Sequence, residues 1–381
     1  MFKRLLTQPL QFNKSFFLFG PRGTGKTTWL KKHFPKAHYI DLLKTSVYAK
    51  YIANPSILEN MIEKDFDDWV ILNEIQRIPN LLNEVHRLIE SRKIKFILTG
   101  SSARKLRQKG VNLLAGRAYT YHMHPLTTME TGSAFDLQQA LNYGMLPEIF
   151  SKGDPKQFLS AYLGTYLREE ILQEGLTRNL EAFARFLETA SFSQGAVLNV
   201  SAVARECAVS KKMADGYFNI LQDLLIGIML PIFSRQAKRR LVAHSKFYYF
   251  DVGVYRHLRP QGPLDTAEQI DGAALETLFL QELRAINDYL DLGLQLYYWQ
   301  TSYGQEVDFV AYGKKGLYAF EIKRKRQIDR KDLQNLRAFK KDYPPAICYL
   351  LYGGSEKLYF DDVIAIPYED GIKSLAKLIH T

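Results

Sequence analysis

The segment Gly20-Pro21-Arg22-Gly23-Thr24-Gly25-Lys26-Thr27-Thr28 constrains this chain more than any other. It fits G-x-x-x-x-G-K-[ST] and stands between an apolar run, Phe16-Phe17-Leu18-Phe19, and a helical pattern from about Lys26 to His33. A strand that breaks into a glycine-rich turn and then opens a helix is the context in which this pattern binds phosphate. The glycines let consecutive backbone N–H groups turn inward around phosphate oxygens, with no Cβ in the way. Lys26 is expected to reach the β- and γ-phosphates of a nucleotide and the Thr27 hydroxyl to ligate Mg²⁺, while the helix start adds its dipole. The competing reading is a chance match in a turn, and the strand and helix on either side argue against it.

The flanking residues repeat the alternation of strand and helix. Tyr39-Ile40, Val70-Ile71-Leu72 and Phe96-Ile97-Leu98 are too short for helices and nearly continuous, as strands buried on both faces are. Residues 1–150 are therefore expected to form an α/β layer around a parallel sheet. The run from Trp69 ends in Asn73-Glu74. Glu74 stands where a general base would polarise an attacking water. Asn73 stands where Asp normally holds Mg²⁺ through its waters; it can still accept a hydrogen bond but has no charge, which predicts nucleotide binding with weakened hydrolysis. Thr99 or Ser101, at the tip of the next strand, is a candidate for placing water against the γ-phosphate, with an ordinary Ser/Gly turn as the alternative. Arg117 is a candidate for neutralising phosphate charge, in cis or across a subunit interface, with a plain surface arginine as the alternative.

Composition removes several classes. The 381 residues are 46% hydrophobic and 24% charged, the balance of globular proteins, and suffice for two or three domains. No apolar run approaches the length of a transmembrane helix, the N-terminus lacks the pattern of a secretion signal, and Cys207 and Cys348 are too isolated for a disulfide framework. These features predict a cytoplasmic protein with no membrane partner. The excess of 51 Lys+Arg over 40 Asp+Glu, a net charge of +11, permits a polyanionic partner without requiring one.

Ser151-Lys152-Gly153-Asp154-Pro155 marks a boundary, and from 158 to about 230 the pattern is helical throughout. Asn199 to Ser210 reads as a helix, a tight turn and a new N-cap, with Ser201 expected to cap the first helix and Ser210 the second. Val203, Ala204, Cys207 and Val209 are expected to face inward, continued by Tyr217, Leu221 and Leu224. Residues 151–235 are thus expected to hold a helix-turn-helix of winged-helix type. Lys211 and Lys212 open the second helix, where a recognition helix meets DNA; packing and subunit contacts are the alternative use. Lys238-Arg239-Arg240 adds local charge.

Beyond Arg259–Pro263 the pattern predicts a helix over 273–289 and strands at 295–300, 306–312, 317–323 and 346–352. Glu306 and Asp308 fall on one face of their strand, and Glu321 and Lys323 occupy alternating positions on the next. Two carboxylates and a lysine converging from paired strands suit Mg²⁺-dependent phosphodiester hydrolysis. Asp308 and Glu321 would be hard oxygen ligands, and Lys323 would orient or deprotonate the water. Glu276, on the preceding helix, is a candidate to complete the metal shell, and Glu282 a second one. The alternative is a set of solvated or salt-bridged carboxylates with no metal. Lys325, Arg326, Arg330 and Lys331 would supply phosphate contacts. Tyr297, Tyr298, Trp299 and Tyr303 would stack bases, or at strand spacing fill the core. His122 and His124 lack a third ligand and are assigned no metal.

The order GPRGTGKTT, VILNEIQRIPNLL, FILTGSSARKL, LLAGR and HPLTTME, continued by Gly144–Glu148 and Tyr166–Ile171, resembles a family of prokaryotic AAA-type P-loop ATPases over most of the chain. Its members usually carry Asp where this chain has Asn73. The resemblance implies an ATPase domain using ATP and Mg²⁺, a fused C-terminal domain, and a homo-oligomer that completes its site between subunits. The order Glu276, Asp308, Glu321-x-Lys323 resembles the PD-(D/E)xK nuclease core over about 272–352, with Val307 in place of a common Pro. It implies a restriction-endonuclease-like α/β domain at 236–381 that uses Mg²⁺ or Mn²⁺. The combined expectation is an ATPase coupled to a nuclease-like domain acting on nucleic acid, with DNA favoured. The rival readings are a nucleotide-dependent switch or scaffold with an inactive nuclease fold, and a DNA-binding regulator working through the helix-turn-helix.

Overall fold

The computed structural model describes residues 2–102, 114, 116–167, 179–235, 244–263 and 265–379. Ala103–Leu106, Leu113, Ala115, Arg168–Ile171 and Lys238–Arg240, all named above, lie outside the described residues. The backbone groups into two compact units, residues 3–125 with 223–225, and residues 126–222 with 226–381.

The first unit is built on strands β1 (Phe16–Phe19), β2 (His38–Asp41), β3 (Trp69–Asn73), β4 (Lys95–Gly100) and β5 (Tyr119–His122), in the order β2-β3-β4-β1-β5. Every pairing is parallel. Each position of β1 and β3 is buried, which explains why their apolar runs are continuous rather than alternating. Helices α1 (Lys26–His33) and α2 (Leu81–Arg92) follow β1 and β3. On α2, Leu81, Leu82, Val85 and Leu88 recur at helical spacing and enter the core with Phe17, Phe19, Leu72 and Leu98. Each such side chain contributes about 1.5–3 kcal/mol when fully buried. Because the strands are parallel, their C-terminal ends share one edge of the sheet. Gly20, Asp41, Asn73 and Gly100 all stand at that edge, where open α/β sheets bind ligands.

In the second unit a short helix, α3 (Thr128–Thr131), opens on a capping box formed by Thr127 and Glu130. After helices over Leu137–Tyr143 and Pro155–Ala161 come α4 (Leu180–Ser191), α5 (Val200–Glu206) and α6 (Lys211–Asp223), followed by antiparallel strands β6 (Gly227–Leu230) and β7 (Lys246–Tyr249). The expectation of helix throughout 158–230 is therefore corrected at 192–199, where Gln194 and Val197 bridge to β7, and at its end. Leu225 adopts a left-handed conformation (φ 60). A Cβ on Gly227 would fall 2.7 Å from that of Leu221, so the chain leaves the helix and pairs with β7. The cap of α5 is corrected too. Asn199, not Ser201, accepts the N–H of Ala202, because the helix begins already at Val200. Ser210 caps α6 through the N–H of Met213. Val203, Ala204, Cys207, Tyr217, Leu221 and Leu224 are buried and Val209 is half-buried.

Helices α7 (Val252–Leu258) and α8 (Ala267–Tyr289) lead into a six-stranded mixed sheet. Its strands are β8 (Gln295–Gln300), β9 (Glu306–Gly313), β10 (Gly316–Lys323), β11 (Ile347–Tyr352), β12 (Leu358–Tyr359) and β13 (Ile364–Pro367), in the order β12-β13-β11-β10-β9-β8. β9 runs antiparallel to both β8 and β10, whereas β10 pairs in parallel with β11, and β11 with β13. α8 starts six residues before the expected 273, and packs Phe279 on Phe309 and Phe320 (ring centroids 5.3 and 5.0 Å). A further helix, α9 (Gln334–Asp342), packs Phe339 on Trp299 at 5.4 Å. No described helix is long and apolar enough to cross a membrane.

Candidate nucleotide and carboxylate sites

At the C-terminal edge of the first sheet, β1 ends and the chain doubles back through Gly20–Gly25. Gly23 and Gly25 have φ of 79° and 92°, a region that side chains resist, and Gly25 stands at the N-cap of α1. A Cβ on Gly20 would lie 2.3 Å from the carbonyl oxygen of Met123, so only glycine passes there. Lys26 is buried, and its ammonium donates to the carbonyls of Gly20 (2.6 Å) and Pro21 (3.2 Å). The Thr24 hydroxyl donates to Pro21 O at 2.8 Å. Arg22, Gly23, Thr27 and Thr28 face solvent. A charged ammonium held over an open glycine turn is what an anionic ligand needs. A phosphate bound here would take the place of the loop carbonyls as the partner of Lys26.

One residue outside the motif supports this turn. The Arg4 guanidinium donates to Thr24 O and His124 O, both at 2.6 Å, and ties the loop to the segment after β5. Nothing in the sequence around Arg4 announces this, because its partners are backbone carbonyls remote in the chain. The phenol of Tyr39 on β2 lies near the Thr27 hydroxyl, and burial pushes that phenol up to about 12.

Across the edge, the expected acid is present and firmly held. Glu74 takes a left-handed conformation (φ 59) that costs a non-glycine residue about 1 kcal/mol or more. Its Oε2 accepts from Gln76 Nε2 (2.6 Å) and from the N–H and hydroxyl of Ser101 (both 3.3 Å). Ser101 is thus the strand-tip residue that touches the Glu74 carboxylate. The Thr99 hydroxyl accepts the Glu74 N–H at 3.4 Å and donates to Asn73 Oδ1 at 2.8 Å. Asn73 Nδ2 donates to Asp41 Oδ1 at 3.0 Å. Arg117 forms an ion pair with Glu90 on α2. Gln76, absent from the sequence expectations, is buried and leaves its Oε1 without a hydrogen-bond partner. The exposed Thr27 hydroxyl and the neighbouring oxygens suit Mg²⁺ accompanying a nucleotide, since this ion keeps several waters and few protein ligands.

The second unit assembles its own charged group. The β9–β10 ladder pairs Phe309 with Phe320, so its next step brings Asp308 opposite Glu321. Asp308 Oδ2 accepts the N–H of Ile322 at 2.8 Å. Glu321 Oε1 takes the Lys323 ammonium (2.8 Å) and the Asn335 amide (3.1 Å), while its buried Oε2 has no hydrogen-bond partner. Glu276 on α8 accepts from the Tyr248 hydroxyl at 2.9 Å. Burial, helped by the Asp308 charge, pushes the Glu276 carboxyl up to about 8 and that of Glu321 up to about 7.

A residue that sequence reasoning passed over completes this group. Lys246 opens β7 with only 2% of its side chain exposed; its ammonium pairs with Glu306 and lies 3.9 Å from Asp308 Oδ1. Burial alone lowers a lysine, yet the charges of Glu276, Asp308 and Glu306 outweigh it and push Lys246 up, so the ammonium stays charged. The signal for it was a lone cation before Phe247-Tyr248-Tyr249-Phe250, legible only once β7 is known to be buried. Among the described residues, no group of three or more His, Cys, Asp or Glu side chains is placed to hold a metal ion.

Several expectations are relocated. Glu282 is not at this site: its carboxylate accepts from the N–H and hydroxyl of Thr128 (3.1 and 2.7 Å) and holds the start of α3. Tyr298 and Trp299 are core residues, Tyr297 packs on Phe233 at 5.4 Å, and Tyr303 is 87% exposed. Lys325 pairs with Asp332 at 2.8 Å, while Arg326, Arg330 and Lys331 are exposed. Lys211 and Lys212 are exposed at the start of α6.

Comparison with known proteins follows the same division. Residues 12–132 match the AAA domain family, residues 134–265 a domain of unknown function (DUF8612), and residues 271–370 another (DUF4143). No curated protein matches the chain at a significant level. Among solved structures, the ORC1 protein of Aeropyrum pernix in complex with DNA is 13% identical, with 73% of this chain and 91% of that one covered, at a TM-score of 0.25. A signal-transduction ATPase of Pyrococcus horikoshii with a tetratricopeptide repeat sensor is 14% identical, with 76% and 47% covered, at 0.24. A protein of Vibrio cholerae is 13% identical, with 96% and 97% covered, also at 0.24. Scores this low carry no argument about architecture or activity. The match over residues 12–132 spans the glycine turn, the strapped Glu74 and the parallel sheet, so this part of the chain is similar to AAA-type P-loop ATPase domains.

Proposed function

We propose that the chain binds and turns over ATP at Gly20–Thr28 and couples the nucleotide state to nucleic acid engaged by its C-terminal region. The observation that carries this reading is the buried Lys26 ammonium on an open glycine turn, at the same edge of the sheet as Glu74. Backbone N–H groups and Lys26 bind the phosphates, and Thr27 holds Mg²⁺, which neutralises phosphate charge when bound. Glu74 polarises the attacking water, and Gln76 and Ser101 fix its carboxylate. Thr99 acts on this edge through Asn73, and Arg117 serves phosphate charge only after leaving Glu90. Steady-state ATP hydrolysis should fall at least a hundredfold in Glu74→Gln with nucleotide affinity retained; unchanged hydrolysis would remove Glu74 from the mechanism.

For the C-terminal region the reading is a Mg²⁺- or Mn²⁺-dependent nuclease-like site, with Asp308 and Glu321 as metal ligands, Glu276 behind them and Lys323 at the water. The unpartnered, buried Glu321 Oε2 supports it, since a buried carboxylate oxygen calls for a cation. Incubation with Mg²⁺ or Mn²⁺ and mixed DNA and RNA, comparing wild type with Lys323→Ala, tests it; identical products from both proteins end the assignment. One observation favours a second reading. The Lys246 ammonium already neutralises Glu306 and Asp308, as befits a nuclease-like scaffold that binds and does not cut. On that reading Lys246→Met, and not wild type, binds Mn²⁺. Lys211 and Lys212, exposed on α6, support DNA contact by the helix-turn-helix. A winged-helix form for this region, the three domains at 1–150, 151–235 and 236–381, a homo-oligomer and a cytoplasmic location complete the proposal.

A further inference from the structure

The substitution of Asn73 for an acid has a physical counterpart one strand away. β2 and β3 are in parallel register with Asp41 beside Asn73, so the last residues of the two strands stand side by side at the ligand-binding edge. Their side chains are joined: Asn73 Nδ2 donates to Asp41 Oδ1 at 3.0 Å, while Asn73 Oδ1 is taken by Thr99 at 2.8 Å. The amide is thereby oriented from both ends and cannot turn away. Asp41 is held from its own loop as well, because Oδ1 also accepts the N–H of Leu43 at 3.1 Å. Two residues earlier on β2, Tyr39 lies near the hydroxyl of Thr27, the residue that opens the metal side of the phosphate site. Asp41 is only partly buried and so remains reachable by water.

We propose that Asp41 supplies, from β2, the negative charge that Asn73 lacks on β3, and positions the water shell of the Mg²⁺ that accompanies the nucleotide. This rests on the reading of Gly20–Thr28 as a Mg·ATP site. The ion requires octahedral water held by one or two carboxylates, and either of two adjacent strand ends can present one. An amide beside a carboxylate is a stable pair; two carboxylates in the same register repel, and one of them is driven to take up a proton. Asn73 is thus the complement of Asp41, and the acid–amide pair is transposed between strands. The transposition makes a specific claim about Asn73→Asp. Restoring the usual acid at 73 while Asp41 remains places two acids together and does not improve the site.

The variant that isolates charge is Asp41→Asn, which keeps an oxygen for both Leu43 and Asn73. Binding of a fluorescent ATP analogue is titrated in EDTA and in Mg²⁺, and Mn²⁺ bound in the presence of nucleotide is counted by electron paramagnetic resonance. In Asp41→Asn, affinity in EDTA should equal that of wild type, while Mn²⁺ affinity in the ternary complex falls about tenfold, the usual effect of removing an outer partner of a metal site. Asp41→Asn/Asn73→Asp, which swaps the two groups, should recover to within about threefold of wild type. A merely structural Asp41 would show no such recovery. Wild-type Mn²⁺ affinity in Asp41→Asn, or a double variant no better than the single one, overturns the proposal. Lys26→Ala separates the underlying reading: if it binds nucleotide like wild type, the loop is not the nucleotide site and the inference falls with it.

Discussion

The two charged sites of this chain are built in opposite ways. The nucleotide site is contiguous: nine residues, Gly20 to Thr28, make the turn, carry the ammonium and start the helix, and the other members come from the tips of neighbouring parallel strands. It faces solvent along an edge that every strand of a parallel sheet shares. The carboxylate site is scattered: Lys246, Glu276, Asp308 and Glu321 come from β7, α8, β9 and β10, and three of the four are at most 8% exposed. In the first site charge is kept available for a ligand. In the second it is balanced internally, at the cost of desolvation that lifts two carboxyls far above their ordinary range. A functional motif and a buried ion network report different things: one offers its charge to a ligand, the other meets most of its charge within the fold.

The sharpest test of this contrast is a pair of lysine variants. Lys26→Ala should weaken nucleotide binding roughly 10–150-fold, the equivalent of a lost charged hydrogen bond of about 1.5–3 kcal/mol. Its melting temperature should shift by only a degree or two, because its partners are two loop carbonyls. Fluorescent nucleotide titration and thermal unfolding measure the two effects. Lys246→Met should do the reverse. Removing a buried ammonium leaves Glu306 and Asp308 uncompensated, and stability should fall by about 3–5 kcal/mol at neutral pH, read by denaturant unfolding. If Lys26→Ala destabilised the protein more than Lys246→Met, the division between an available and a self-neutralised site would be wrong.

Acidity gives the next test. Glu276 and Glu321 have folded values of about 8 and about 7, against 4.5 for both when unfolded. Between pH 4.5 and about 8 the folded chain therefore binds more protons than the unfolded one. Their contribution to stability is complete below 4.5 and is lost as pH rises through 7 and 8. Glu276→Gln, which keeps an acceptor for Tyr248 and discards the titration, should flatten the fall in melting temperature between pH 5 and pH 8. An unchanged slope would mean that Glu276 does not titrate in this window. The smallest effect belongs to the cap. Asn199→Ala should cost about 1 kcal/mol and Ser201→Ala next to nothing, measured by the same unfolding curves.

The sequence alone determined the features whose cause is local. Buried parallel strands need continuous apolar runs, so β1, β3 and β4 were legible at nearly their true ends. A glycine turn between strand and helix needs its residues in order, so the phosphate loop could be read from its spacing. The Asp308, Glu321 and Lys323 group was legible because strand alternation is itself local, and Ser210 because a cap acts over three residues. What tertiary structure decided is every contact made by side chains far apart in the chain. Glu282 looked like Glu276 until the backbone of α3 arrived to claim it. Gly227–Leu230 read as the end of a helical stretch until β7 paired with β6. Asp41, Arg4 and Lys246 carry no signal in their own neighbourhoods, because the side chains and carbonyls they bind lie 20 to 120 residues away. Apolar period and backbone geometry are properties of a few adjacent residues, whereas the neutralisation of a charge depends on what folding brings beside it.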